Sequence, residues 1–340
     1  MAEAGKRVAV LGAGAWGTGI ACALAARGPA LLWARDAGQA GAMDQARCNT
    51  RYLPDVAFPP ALEITADLAA AAGGADLLLL ATPVAGLREL LTRLAGLGRA
   101  AMPGLIWLCK GFEQDSGRLP HQIVEAVLGA HGRCGVLSGP SFALEVARGL
   151  PCALTLAARD AAFARQAAAR VHGGRIRVYY SDDLVGVELG GALKNVIAIA
   201  VGLCDGLALG QNARAALITR GLAELTRLGI ALGGRAETFQ GLAGAGDLIL
   251  TATGDLSRNR RVGLELARGK ALDAVLRGLG HVAEGVRSAR EASRLAAAAG
   301  VDMPITAAVL DVLEGRLDPA GAVERLLARD PRSEGPEPSG

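Results

Sequence analysis

Aromatic side chains make up only 3% of this 340-residue chain, and neither sign of charge dominates: 36 Lys and Arg stand against 33 Asp and Glu. A net charge of +3 provides no clustered basic face of the kind that binds nucleic acid, and no like-charge interaction tail. No C-x-x-C pair occurs among Cys22, Cys48, Cys109, Cys134, Cys152 and Cys204, and no H-x-x-x-H spacing among His121, His131, His172 and His281. The usual zinc spacings are therefore excluded, and the cysteines read as free thiols of a reducing compartment. Long hydrophobic runs are missing as well. Leu77–Leu87 and Val196–Leu203 fall far short of the ~20 residues a membrane span needs. The basic start before an apolar run has the outline of a signal peptide, but Gly12, Gly14, Gly17 and Gly19 interrupt that run. The expectation is a soluble, cytoplasmic protein with no metal site and no membrane span.

What is abundant is glycine, with 47 residues, inside a chain that is 51% hydrophobic. Such a composition packs into a core, chiefly through Ala, Leu and Val, and the length allows about two domains. Short apolar runs recur at Arg7–Leu11, Ala30–Ala34, Asp76–Ala81, Leu105–Cys109 and Gly135–Leu137, separated by helical patterns. This alternation predicts βαβ units and a parallel sheet buried on both faces, extended by Cys152–Ala157 and Ile176–Tyr180. After Ser181 the pattern is helical almost throughout, over Asp183–Leu209, Ala213–Leu228, Arg260–Ala267, Gly285–Ala299 and Ile305–Glu314. The predicted organisation is α/β: a doubly wound dinucleotide-binding domain over 1–181, a mainly helical substrate domain over 182–329, and a disordered tail over 330–340 that is rich in Pro, Gly and Ser.

Gly12-Ala-Gly14-Ala15-Trp16-Gly17 fits G-x-G-x-x-G, directly after a strand and at the start of a helix. Gly12 permits the tight turn, Gly14 admits a pyrophosphate to the backbone, and Gly17 lets helix and strand pack closely. The helix N-terminus then offers free N–H groups to the anion. The second strand ends at Arg35-Asp36, where an acidic residue would take the NAD ribose or an arginine the NADP phosphate. Asp36 lies past the strand end, so Arg35 is expected to face the ribose and to permit NADP.

Lys194 lies in an apolar helical stretch beside Asn195. A lysine there either snorkels to the surface or serves a site. Lys110 follows a strand and should point at the crevice off the carboxyl ends of the sheet. Ser138-Gly139-Pro140-Ser141 occupies the same kind of place, where Ser141 either caps a helix or helps to hold an anion. Asp247 follows a glycine turn and either caps a helix or contributes a carboxylate to the site. Ser257-Arg258-Asn259-Arg260 supplies donors suited to phosphate, or forms a solvated turn.

Taken in order, Gly12–Gly17, Leu32–Asp36, Cys109–Glu113, Leu137–Val146, Gly191–Val196, Gly244–Leu248, Ser257–Arg260 and Val282–Gly285 resemble the bacterial type of NAD(P)-dependent glycerol-3-phosphate dehydrogenase, from about residue 6 to about 330. Ala15, where a small polar residue is common, and Ala245, where a bulkier apolar residue is usual, depart from the pattern. The resemblance implies a Rossmann-type domain followed by a helical one. It also implies reversible hydride transfer between NADP or NAD and dihydroxyacetone phosphate, giving sn-glycerol 3-phosphate for phospholipid synthesis in a cytoplasmic homodimer. Lys194 is implied as the proton donor and acceptor, with Lys110 and Asp247 as catalytic partners. Gly139, Ser141, Asn195, Ser257, Arg258 and Asn259 would join them around the substrate. Ala15, Trp16, Arg35, Asp36, Lys110, Ala143, Arg258, Val282 and Glu284 would contact the cofactor beside the three glycines. A β-hydroxyacid dehydrogenase of the same architecture, and a nucleotide-binding regulator without turnover, are the alternatives. The serine- and arginine-containing loops favour the phosphate reading over the first, and the presence of both Lys194 and Asp247 argues against the second.

Overall fold

The computed structural model describes residues 7–98, 103–130, 132–279 and 283–330. The tail expected beyond Asp330, together with His131, His281 and Val282, lies outside the described residues.

The chain begins with β1 (Val8–Leu11), α1 (Ala15–Ala25), β2 (Ala30–Trp33), α2 (Ala37–Ala46), a small hairpin of β3 (Cys48–Asn49) and β4 (Leu53–Ala57), and β5 (Leu62–Thr65). It continues through α3 (Leu68–Gly73), β6 (Leu77–Leu80), α4 (Val84–Ala95), β7 (Gly104–Trp107), α5 (Pro120–Leu128) and β8 (Cys134–Ser138). Then come α6 (Ala143–Ala147), β9 (Cys152–Ala157), α7 (Ala161–Val171) and β10 (Ile176–Ser181). Eight strands form one sheet in the order β10-β9-β8-β7-β6-β1-β2-β5. Both faces are covered. Val8 and Val10 of β1 and Leu77 and Leu79 of β6 face one apolar cluster, while Ala9, Leu11, Leu78 and Leu80 face another. Burial on both sides is why these strands are apolar at every position. Strand order reverses between β6 and β2 around β1, so the crevice off the carboxyl ends of β1 and β6 is the ligand position this topology offers.

The sheet is not wholly parallel. Neighbouring strands from β5 to β8 run parallel, but β9 pairs antiparallel with β8, and β10 then runs parallel to β9. The connection from β8 contains only the short α6, which stays at the crevice end and docks on α1. A Cβ on Gly19 of α1 would lie 2.7 Å from the Ala143 carbonyl oxygen. The chain therefore re-enters the sheet from the end it had just reached, and β9 must run backwards.

Beyond the sheet, α8 (Leu184–Gly206) forms the axis of a helical cluster. Around it lie α9 (Gly210–Ala231), α10 (Ala236–Gln240), a π-helical turn at Leu242–Gly246 leading into α11 (Asp247–Thr253), α12 (Arg258–Ala267), α13 (Leu272–Leu279), α14 (Glu284–Ala299), α15 (Pro304–Leu313) and α16 (Pro319–Leu327). Asp183 caps α8 by accepting from the Gly186 N–H at 2.9 Å. By length and composition α8 is apolar enough to cross a membrane, although Glu188, Lys194 and Asp205 interrupt its apolar runs. Nearly all of its 23 residues are buried among the other helices, the position of a core helix.

The crossing of α12 over α8 is at backbone distance. A Cβ on Gly202 would fall 2.0 Å from the Arg260 carbonyl oxygen, and one on Gly263 2.1 Å from that of Ile199. Relieving such overlaps means moving a whole helix, so Gly263→Ala should cost about 1–3 kcal/mol or more. Urea unfolding checks this. An unchanged midpoint would show that the crossing is not tight.

Candidate active site

The glycine turn follows β1. Gly12 has φ +125°, and a Cβ there would lie 2.8 Å from backbone atoms of Ala81, at the end of β6. A Cβ on Gly17 would sit 1.9 Å from the Gly12 carbonyl oxygen. Gly14 has open space around its missing side chain, and no side chain caps α1. The first N–H groups of α1, from Ala15 and Trp16 onward, therefore face an open cradle with the charge and shape a dinucleotide pyrophosphate requires. The turn is held from behind by a residue the sequence reading passed over. Buried Asn49 donates to the Ala13 carbonyl at 3.0 Å and to the Thr18 hydroxyl at 2.8 Å. At the end of β2, one Asp36 oxygen accepts from the Gln39 N–H at 2.6 Å and so caps α2. Arg35 is the side chain left largely in solvent, 3.8 Å from Glu89.

Three predicted residues converge on one another. Lys194 projects from α8, Lys110 from the end of β7, and Asp247 from the first turn of α11. Lys194 Nζ donates to Asp247 Oδ1 at 2.5 Å, and Lys110 Nζ to Asp247 Oδ2 at 2.6 Å. Asp247 is buried, with its side chain 2% exposed, against 8% for Lys194 and 16% for Lys110. Lys194 does not snorkel outward. It also donates to the Thr251 hydroxyl at 2.9 Å, and that hydroxyl donates to the Asp247 carbonyl at 2.6 Å. Thr251 was not anticipated, although its spacing of four residues from Asp247 on one helix puts both on the same face. Burial pulls the Lys194 ammonium below its ordinary value, to about 8. The Asp247 carboxylate opposes that shift, and the positive charge of Lys110 adds to it.

The loop after β8 supports Lys110. The Gly139 carbonyl accepts from Lys110 Nζ at 3.4 Å and from the Ser141 hydroxyl at 2.9 Å. Ser141 caps no helix, because the cap position of α6 belongs to Phe142. Ala143 then starts α6 against α1, tying this loop to the cradle.

The start of α12 takes part in a second network, anchored on α8 at Asn195, the residue after Lys194. Ser257 caps that helix, its hydroxyl accepting from the Arg260 N–H at 3.2 Å. Asn259 donates to Asn195 at 2.9 Å and accepts from the Gly285 N–H at 3.0 Å, and Asn195 in turn donates to Glu284 at 3.4 Å. Burial raises the Glu284 carboxyl above the usual range, opposed by the nearby charges of Arg258, Lys110 and Lys194. Glu284 thus lies within electrostatic reach of all three cations. The Arg258 guanidinium is exposed and makes no hydrogen bond among the described residues. Arg260 is committed elsewhere, to Asp205 at 2.8 Å and Asp255 at 3.0 Å. Val282, the remaining expected cofactor contact, lies outside the described residues. The arrangement offers an anion cradle after β1, two ammonium groups sharing a carboxylate, and an exposed guanidinium at the start of α12.

Two family models match the chain: the NAD-dependent glycerol-3-phosphate dehydrogenase N-terminus over residues 7–164 and its C-terminus over 183–324. The chain is 57% identical over 328 residues to a protein of Dechloromonas aromatica named glycerol-3-phosphate dehydrogenase (NAD(P)+), covering 96% of this chain and 99% of the relative. A protein of the same name from Methylibium petroleiphilum is 60% identical over 336 residues, covering 98% and 99%. The crystal structure of glycerol-3-phosphate dehydrogenase from Coxiella burnetii superposes with a TM-score of 0.89 at 43% identity, over 95% of this chain and 99% of that one.

The shared carboxylate sets the titration of Lys194. Asp247→Asn removes the charge that opposes burial, so the Lys194 ammonium should titrate below the value of about 8. The 13Cε shift of labelled lysine followed against pH measures this. A value unchanged or raised in the variant would contradict the geometry.

Proposed function

The chain belongs to the NAD-dependent glycerol-3-phosphate dehydrogenase family, and on that premise we propose that this site interconverts dihydroxyacetone phosphate and sn-glycerol 3-phosphate with NAD or NADP. The observation that carries the reading is the Asp247 bridge between Lys194 and Lys110, with Asn195, next to Lys194 on α8, bonded to Asn259 at the start of α12.

The bound nicotinamide supplies the hydride in ketone reduction and accepts it in the reverse direction. The chain's own residues do the rest. The N–H groups after Gly14 hold the pyrophosphate, and Arg35 faces the adenosine ribose, where its charge admits the extra phosphate of NADP. Ser257, Arg258 and Asn259 hold the substrate phosphate, which brings the reacting carbon to a fixed place through remote binding energy. Lys194 donates a proton to the ketone oxygen as negative charge builds there, and takes one from the hydroxyl in the reverse direction. An ammonium titrating near 8 is matched to both tasks. Asp247 and Thr251 fix the direction of its N–H bonds. Lys110 adds positive charge at the same oxygen or at the substrate hydroxyl. Gly139 and Ser141 line the pocket beside it. Ala15, Trp16, Ala143, Val282 and Glu284 complete the cofactor surroundings, and Asp36 stays near the ribose while it caps α2.

We place the division between the cofactor-binding and substrate-binding parts at 181/182, supported by the end of β10 at Ser181 and the start of α8 at Leu184. Supply of glycerol 3-phosphate for phospholipid synthesis, a cytoplasmic location and a homodimer belong to the same reading and rest on the family resemblance. Sedimentation of the purified chain tests the last.

NADPH oxidation with dihydroxyacetone phosphate is the direct assay. Lys194→Met should lower turnover by ~10²–10⁴-fold, and near-normal turnover would refute its role. In wild type, the reduction rate should fall as pH rises through about 8, where Lys194 loses its proton, while the oxidation rate should rise. Arg258→Ala should chiefly raise KM for dihydroxyacetone phosphate. Equal use of dihydroxyacetone without phosphate would remove the anchor, and preference for a β-hydroxyacid would favour the alternative enzyme class.

A further inference from the structure

Lys110 reaches Asp247 on a flexible stem, whose rotamer freedom must be restricted to hold the ammonium there. Its ammonium has Asp247 and, at longer range, the Gly139 carbonyl. Its stem lies between the end of β8 and the face of α8. On α8, Gly191 precedes Lys194 by three residues and so shares its face. Glycine in a helix interior is less favourable than alanine. The Gly191 backbone is ordinarily helical, so its conformation does not require glycine. What requires it is room. A Cβ on Gly191 would lie 3.0 Å from Ser138 Oγ, 3.2 Å from Lys110 Cγ and 3.3 Å from Lys110 Cδ. Ser138 is buried, and its hydroxyl has no hydrogen-bond partner among the described residues, so it serves there as packing rather than as a donor.

We propose that Gly191 is a positioning residue for Lys110: lacking a side chain, it opens the slot in which the lysine stem lies, and thereby seats the ammonium on Asp247 beside Lys194. The inference rests on the role assigned to Lys110 above. An added methyl pushes Cγ and Cδ aside by a few tenths of an ångström, and the ammonium at the far end of the stem leaves its seat. The Lys110 charge also helps to hold down the titration of Lys194, against Asp247 and Glu284. Displacing it therefore raises the pH at which Lys194 titrates.

The test is Gly191→Ala, alone and combined with Lys110→Met, with kcat/KM for dihydroxyacetone phosphate, the pH–rate profile and the melting temperature measured on the full chain. Alone, Gly191→Ala should lower kcat/KM by about tenfold or more and move the reduction limb to higher pH. In the Lys110→Met background it should change kcat/KM by less than about twofold, because the group it acts through is gone. A full-sized loss in that background would show a merely structural role and overturn the inference alone. An unaffected Lys110→Met enzyme would overturn the role of Lys110, and this inference with it. Should Gly191→Ala fold poorly, Ser138→Ala/Gly191→Ala removes the nearest contact and leaves only the collision with the lysine stem. The same loss there supports the proposal, and recovery to wild-type kcat/KM would show that Ser138, not Lys110, had been displaced.

Discussion

One buried carboxylate, that of Asp247, holds two ammonium groups that arrive from different parts of the chain. Lys110 comes from the end of a strand and Lys194 from the core helix α8. Two cations at such close quarters repel one another, and taking either out of water is costly. A single carboxylate with one oxygen for each makes the arrangement tenable, because Coulomb attraction strengthens where water is excluded. The site is still one positive charge in excess. In the proposed reading, that surplus meets an oxygen that gains negative charge and a substrate that carries a phosphate. A bound anion offsets that surplus charge.

The rest of the fold serves to bring these groups together. Glycines in α8 let α12 and the turn before α11 approach at backbone distance, so Lys194 bonds to Asp247 and the next residue along α8, Asn195, bonds to Asn259, although all these partners are far apart in sequence. The sheet contributes Lys110 and the Gly139 loop because both follow strands that end at the same edge. The glycine turn after β1 ends at that edge too. In the proposed reading the helical part carries the proton chemistry and the anchor, while the sheet carries the cofactor surface and Lys110.

Much of this was legible in the sequence. Strands buried on both faces are apolar throughout, so β1, β6 and β7 were visible as runs, and the glycine spacing after β1 has few other uses. Lys194 stood out because an ammonium in an apolar helix needs a reason. What was hidden was hidden for physical reasons. The reversal at β9 depends on where α6 docks, which no local pattern encodes. β5 alternates with Glu63 and is short, and the β3–β4 hairpin has almost no apolar signal, so Asn49 behind the glycine turn went unnoticed. Ser257-Arg258-Asn259-Arg260 read as one basic loop, yet helical geometry separates its members: Arg258 remains open while Arg260 turns to Asp205. Thr251 and Gly191 matter through neighbours distant in sequence, and only the packed structure reveals such neighbours.

The central claim is that Lys194, seated by Asp247, meets the reacting oxygen while the start of α12 holds the phosphate. A crystal structure with NADP and sn-glycerol 3-phosphate bound tests it most directly. The C2 hydroxyl oxygen should lie about 2.6–3.2 Å from Lys194 Nζ, with the phosphate against Ser257, Arg258 and Asn259. A hydroxyl held by some other donor, or a phosphate seated away from α12, would contradict it.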